Sequence, residues 1–367
     1  INDRVLTLSY TRGITISNLT IRNGRTGLLL DNSPGIQLAF LTAKGNSNGV
    51  VLSQSGNVSI QRSAILNNLG IGVWNLGTTT TNSIDNSVLL NNSLASVVQT
   101  AGRLDVNNSV LSANGPNAYV YQVLSNSTLK SDYNNIITSN GASVALSSVS
   151  ISKTLSRWQQ LLTNDFHSLS HEPYFANAGA GDFHIKCPIG RFDPAVNGFV
   201  TNDVDRSPMI DAGNPASPFV NETAPNGGRM NIGMYGNHPQ ASRSPTNGWF
   251  YTLSLNDGGS ARGTNTLYWL SGGTATGMLV YLDYSADGGV NWTNVATNIN
   301  ASAGSYLWNT TPYESSAKGL WRIVSVTDGS VAATNQIYFS LNNAPLAYYV
   351  NDVDQEGDVY TTNPGDP

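Results

Sequence analysis

An all-β chain, a parallel solenoid followed by a β-sandwich, is what the sequence predicts, and three observations predict it. First, a phrase recurs about every 22 residues: Ile16-x-x-Leu19-x-Ile21, Leu38-x-x-Leu41-x-Ala43, Ile60-x-x-Ser63-x-Ile65, Ile84-x-x-Ser87-x-Leu89 and Val106-x-x-Ser109-x-Leu111. Second, another phrase keeps the same period: Gly27-Leu28-Leu29-Leu30, Gly49-Val50-Val51-Leu52, Gly72-Val73-Trp74, Ser96-Val97-Val98 and Ala118-Tyr119-Val120. Fixed self-similarity over 20–50 residues marks a solenoid, and short β-branched runs broken by Asn, Gly and Ser make its coils strands rather than helices. Third, beyond Ser242 short strands alternate with turns such as Asp287-Gly288-Gly289, the pattern of a sandwich.

The elements follow in order. Residues 1–165 are read as parallel β-helix coils, with a faint last copy near Tyr133 to Ile137. The rows Ile16, Leu38, Ile60, Ile84, Val106 and Ile21, Ala43, Ile65, Leu89, Leu111 are expected to point inward. Asn46, Asn68, Asn92 and Asn114 share one turn position, where Asn tolerates left-handed backbone and stacks as a hydrogen-bonded ladder. Leu155, Trp158, Leu161 and Leu162 suit a short helix packed on the coils. Residues 166–243, rich in Pro and Gly, are read as irregular coils closing the rod. Residues 244–342 form the sandwich, with strands expected at 249–255, 266–270, 278–284, 292–295, 305–308, 319–327 and 335–341. Residues 343–367 are a polar, acidic linker or the start of a following β-helix. A strand-like phrase appears by Val5-Leu6-Thr7-Leu8 with no polar cap, so earlier coils and any targeting segment are expected to precede it.

Composition narrows the function. Only 11 % of the 367 residues are charged and the net charge is -5. That excludes the basic face nucleic acid demands, and no polybasic run suits an anionic membrane. No apolar run is long enough to span a bilayer as a helix. The single cysteine, Cys187, rules out an internal disulfide and reads as a buried small hydrophobe.

The coils resemble the right-handed parallel β-helix superfamily typified by pectate lyases. Arg4-Val5-Leu6-Thr7-Leu8 and Gly13-Ile14-Thr15-Ile16 through Ile21-Arg22-Asn23-Gly24 are similar to coils of large bacterial surface and secreted proteins. Asp205-Arg206-Ser207-Pro208, Ile210-Asp211-Ala212-Gly213 and Asn231-Ile232-Gly233-Met234-Tyr235-Gly236 resemble their closing segment. Tyr284-Ser285-Ala286-Asp287-Gly288-Gly289-Val290-Asn291-Trp292 resembles fibronectin-type-III-like or immunoglobulin-like sandwiches. The tail, Tyr348-Tyr349-Val350-Asn351-Asp352 to Thr362, resembles the opening of another β-helix. The resemblance implies an extracellular or cell-surface protein. It does not fix an activity, because the fold carries lyases, hydrolases, epimerases, adhesins and fibres alike.

Chemistry is sparse. A polysaccharide-cleaving coil needs clustered carboxylates beside a base or a cation. Residues 1–150 contain no Glu and five Asp: Asp3, Asp31, Asp85, Asp105 and Asp132. Aligning the repeat places Asp85, Asn107 and Asp132 in one row, two coils separating the carboxylates, with Arg62 and Lys130 in adjacent rows. These four are the catalytic candidates, and a solvated polar face is the plainer reading. His167, His171, Glu172 and His184 cluster in sequence and read as packing rather than as a metal site. Asp352, Asp354, Glu356 and Asp358 alternate as in calcium loops, but no acidic residue closes the pattern, so a solvated linker is preferred to a calcium site. Asn-x-Ser/Thr sequons such as Asn18-Leu19-Thr20 follow from composition. Trp74 stands in a core-like phrase, and Trp292 and Trp308 are expected in the sandwich core.

The expectation is therefore a structural, non-enzymatic unit of a large extracellular, repetitive or filament-forming bacterial surface protein, without cofactor, associating head to tail or in tandem. A polysaccharide lyase or epimerase and a glycan-binding adhesin are the alternatives. An exposed row of aromatics would favour the adhesin.

Overall fold

The structure is a computed structural model and describes residues 3–77, 80–148 and 150–343. Short extended runs at a 22-residue period stack in register, so each coil adds one strand to each of three sheets. The first sheet runs from Arg4–Ser9 through Thr26–Asp31, Asn48–Ser53, Ile71–Asn75, Ala95–Gln99 and Tyr119–Val123 to Ser143–Ser147. The second runs from Thr15–Ser17 to Ser127–Asp132, and the third from Thr20–Arg22 to Asn135–Ser139. Within each sheet these strands pair in parallel; one antiparallel strand, Ile151–Ser152, ends the first sheet.

The two apolar rows stack as expected. Ile16 pairs with Leu38, Leu38 with Ile60, Ile60 with Ile84 and Ile84 with Val106. Ile21, Ala43, Ile65, Leu89 and Leu111 form the facing row, and all but the half-buried Ile16 are buried.

Polar ladders fix the corners. Asn46 donates to Asn68 Oδ1 through its main-chain N–H at 3.0 Å and its side-chain amide at 3.2 Å, and Asn68 repeats the pattern onto Asn92. A Cβ on Gly27, Gly49 or Gly72 would sit 2.8, 2.9 or 2.8 Å from these amides, which explains the glycine column of the second phrase. The ladder stops at Asn92. Asn114 is exposed; instead Ser112 O accepts the hydroxyl of Ser96, the residue that replaces glycine in that coil. A second ladder links Ser63, Ser87, Ser109, Asn134 and Ser168, each accepting a main-chain N–H from the coil before. The residue at this corner is left-handed in every coil: Asn18, Phe40, Arg62, Asn86, Asn108 and Tyr133.

Two alignments differ from expectation. Val97 pairs with Tyr121 and Ala95 with Tyr119, so the sixth coil is displaced by two residues from the reading that set Ala118 against Ser96. A two-residue shift keeps every side chain on its face, so periodicity could not reveal it. Trp74 lies between Val51 and Val98 on the outer face of the first sheet, half-exposed, rather than in the core.

The core ends in a polar plug. The row ending at Val106 continues as Ser131, whose hydroxyl meets Tyr121 Oη at 2.7 Å and donates to Asp165 at 2.8 Å. Asp165, fully buried, also accepts from Trp158 Nε1, Ser168 and Asn134. Trp158 belongs to the helix Leu155–Leu162, which covers the end of the coils and stacks on Tyr121. Residues 164–169 add one more partial turn, with Leu169 hydrogen-bonded to Asn134 and Ile136. Where coils closing the rod are expected, the chain beyond Ser170 runs back along the rod's flank. Its Met209, Ile210, Ala212 and Ile232 pack on Ala64, Leu66, Val88 and Val110 of the third sheet's outer face, and Gly233 and Asn214 bond to Asn108.

The sandwich comprises a three-stranded sheet, Trp249–Thr252, Thr264–Gly272 and Ser305–Asn309, facing a sheet built on Leu279–Ser285, Thr293–Asn300, Ser316–Ser325 and Phe339–Leu341. Trp269, Trp308, Trp321, Tyr284 and Phe339 fill its core. Trp292 does not join them; it lies half-exposed at a hairpin, 4.2 Å below the Arg322 guanidinium. The sandwich is fastened to the rod. Asp257 accepts the Leu155 N–H at the helix start, Gln160 donates to Ser260 O, and His171 Nε2 lies 3.2 Å from Thr252 O.

Candidate functional site

The outer face of the second sheet carries the candidate residues. Its strands alternate an inward apolar residue with outward polar ones, so the row Gln61, Asp85, Asn107, Asp132 points away from the core in consecutive coils. Asp85 and Asp132 are two strand spacings apart, roughly 9–10 Å. Asp105 faces Lys130 one row over. Asp105, Asn107, Lys130 and Asp132 line an open groove of about 620 Å³, bounded by Asn164 below the helix and Asn214 of the flank.

The four candidates do not converge. Arg62 holds the flank: its Nη2 donates to Gly236 O at 3.1 Å and Asn237 O at 3.2 Å, and burial pulls its basicity down. Asp85 is pushed up to about 6 by burial and by Asp105, with Arg62 opposing. Lys130 is exposed within the groove. Asp105 is held by Arg103 at 2.7 and 2.8 Å.

Asp132 has a partner that sequence reasoning set apart. It accepts the His167 N–H at 2.8 Å and meets His167 Nδ1 at 2.7 Å. The imidazole stacks on Tyr133 at 4.8 Å, Arg229 covers Tyr133 at 5.5 Å, and Tyr268 of the sandwich meets His167 edge-on at 5.4 Å. Coil, flank and sandwich thus meet at one aromatic junction. A carboxylate that orients an imidazole is the arrangement of a general base. Here the same bonds also fasten the turn that ends the coils. Their separation of 35 residues left no local sequence signal.

The remaining histidines are scattered. His171 is buried between Asn135 and Thr252, and burial lowers its basicity. His184 is buried on Tyr235 at 3.6 Å, with Nδ1 2.6 Å from Asp182. Among the described residues no three His, Cys, Asp or Glu side chains come together as a metal centre. Asp352, Asp354, Glu356 and Asp358, the calcium candidates, lie outside the described residues.

A second groove, of about 420 Å³, lies on the first sheet. Leu29, Val51 and Trp74 make its floor, and Arg25, Asp31 and Asn48 stand at its sides. Trp74 is braced by its Nε1 donating to Thr100 Oγ1 at 2.9 Å. An apolar floor with a few polar groups is the general character of a ligand groove.

Comparison with protein-family models matches residues 5–156 to the right-handed β-helix region. Together with the stacked coils this makes the fold a right-handed parallel β-helix followed by a β-sandwich. A search of curated proteins finds no match.

Proposed function

We propose that the chain is a structural unit of an extracellular, repetitive bacterial surface protein, in which the coils give length and the sandwich a docked head. The joint between them carries this reading. Asp257, Ser260, Thr252 and Tyr268 of the sandwich all contact the segment Leu155–His171 that closes the rod. Trp249, Leu253 and Leu270 share one apolar cluster with Leu169 and Ile210. A spacer between independently moving domains needs no such cluster; a rigid element transmitting position does. The candidate residues support the same reading, since Asp132 is engaged by His167 and Arg62 by the flank. Head-to-tail or tandem association is the matching mode of use. Electron microscopy of the natural protein on its cells is the test. Arrays of rods at the surface agree with the proposal; an exclusively cytoplasmic protein overturns it.

Glycan binding is the second reading, and the outward Trp74 favours it. An indole face within an apolar floor, with Arg, Asp and Asn beside it, suits a pyranose ring. Isothermal titration with pectate and alginate oligosaccharides tests it; no binding by the intact protein, or unchanged binding in Trp74→Ala, removes it.

A further inference from the structure

The joint between rod and sandwich is not closed along its whole length. The strand Thr264–Gly272 alternates: Leu267 and Trp269 enter the sandwich core, while Thr264, Thr266, Tyr268 and Leu270 share the opposite face. At one end of that face Leu270, with Trp249 and Leu253, is buried in the cluster that holds Leu169 and Ile210 of the rod and flank. At the other end Thr264 is exposed and Thr266 half-buried, with Tyr268 at the boundary. Between this open end and the helix Leu155–Leu162 lies a cleft of about 180 Å³. The rod lines it with Gln159, Gln160 and Phe166, and the sandwich with Tyr268 and the strand from Thr264 to Thr266. Every residue that lines it is uncharged. The half-buried rings of Phe166 and Tyr268 stand 5.9 Å apart, tilted by 35°.

We infer that this cleft binds one residue of a neutral sugar chain, its ring against Phe166 and Tyr268 and its hydroxyls met by the threonines and the amides. A sugar ring has an apolar C–H face and a rim of hydroxyls that both donate and accept. Two aromatic side chains supply the first need. Hydroxyls and amides, which also donate and accept, supply the second. The nitrogens of Gln160 and Asn265 donate to Ser260 O at 3.2 Å and Arg262 O at 3.1 Å, which fixes both amides and leaves each an acceptor oxygen to offer. A uronate would bring its carboxylate into a cleft lined by no cation, at the cost of desolvating an unpaired charge, so the ligand is neutral. The cleft is also preformed. Asp257 accepts the Leu155 N–H and Gln160 holds Ser260 on the same side of the joint, so binding orders little that is not already fixed. The site is separate from the Trp74 groove, which lies on the first sheet with Arg25 and Asp31 at its sides.

Isothermal titration of the intact chain with cellotetraose, mannotetraose, galactotetraose and xylotetraose, each compared with tetragalacturonate, tests this. Saturable binding of at least one neutral tetraose is expected, with tetragalacturonate weaker by about tenfold or more. The double variant Thr264→Val/Thr266→Val keeps the β-branched shape on the strand and removes two hydroxyls. It should weaken binding by about threefold to tenfold for each hydrogen bond lost. Tyr268→Ala should abolish binding and Tyr268→Phe, which keeps the ring, should weaken it less. Tyr268 also meets His167, so melting curves accompany its variants; the threonine pair leaves that junction untouched and carries the test if Tyr268→Ala unfolds. Trp74→Ala should bind as the parent does. No binding of any neutral tetraose overturns the inference, as does preference for tetragalacturonate or binding indifferent to the threonine pair in a folded variant. Binding lost in Trp74→Ala overturns it too, and assigns the sugar to the first sheet. The structural reading has its own test in the surface arrays, so either can fail without the other.

Discussion

Asn68 and Asn114 occupy the same column of the sequence repeat, and the structure predicts very different consequences for replacing them. In Asn68→Ala the main-chain N–H of Asn46 loses its acceptor at 3.0 Å, and the Asn46 amide loses the same oxygen at 3.2 Å. Ala43 O loses a donor at 3.2 Å, and Asn92 Oδ1 loses one of its two donors. Asn46 and Asn68 are both fully buried. An orphaned buried donor costs about 1–3 kcal/mol and each further bond is worth about 0.5–1.5 kcal/mol, so the loss comes to roughly 3–5 kcal/mol. Asn114 is exposed and bonds only to Ser139 and Asn140 at the surface, so Asn114→Ala should cost less than about 0.5 kcal/mol. Urea unfolding of the two variants, read by circular dichroism, measures the difference. Equal midpoints, or a loss below about 1 kcal/mol in Asn68→Ala, would refute the ladder account.

Ile60→Asp should destabilise the rod by several kcal/mol, to be read as a collapse of the urea midpoint, because an unpaired carboxylate enters a fully buried row. Gly49→Ala should lower the melting temperature more than Gly115→Ala: the first Cβ would lie 2.6 Å from Gly72 O, whereas the second meets open space and carries only the strain of its left-handed backbone. Glu222, buried in the flank beside Asn231 and Asn237, is pushed up to about 7, mainly by burial, and Asp165 to about 6 for the same reason. A carboxyl whose folded value exceeds its unfolded one stabilises the fold at low pH and loses that contribution as pH rises through the folded value. Stability should therefore fall between pH 5 and pH 8, by on the order of 2–3 kcal/mol from Glu222. Glu222→Gln should flatten that slope in melting curves; a slope of opposite sign contradicts the assignment.

Much of this architecture was legible because stacking repeats a constraint in every coil. Ile60, Ile65 and Asn68 could be placed from spacing alone, and so could the row that joins Asp85, Asn107 and Asp132. Spacing could not show that Asn114 leaves the ladder, because it has the right residue type at the right position. It could not place Trp74, because a β-strand offers both faces and the phrase Gly72-Val73-Trp74 fits either. The flank was missed although a signal existed. Residues beside the inward position of the third sheet read Thr20 and Arg22, then Thr42 and Lys44, then Ala64 and Leu66, then Val88 and Leu90. An outer face that turns apolar partway along a rod requires a cover. The partnership of Asp132 with His167 left no such trace, since it joins a coil to the turn beyond the helix and depends on how the chain folds back.

The proposal is that these coils serve structure and not turnover. The most direct measurement is release of unsaturated or reducing ends from pectate and alginate by the pure chain, with and without calcium. The account predicts no release above the blank. Sustained turnover that disappears in Asp132→Asn or Asp85→Asn would contradict it and make the groove beside Lys130 an active site.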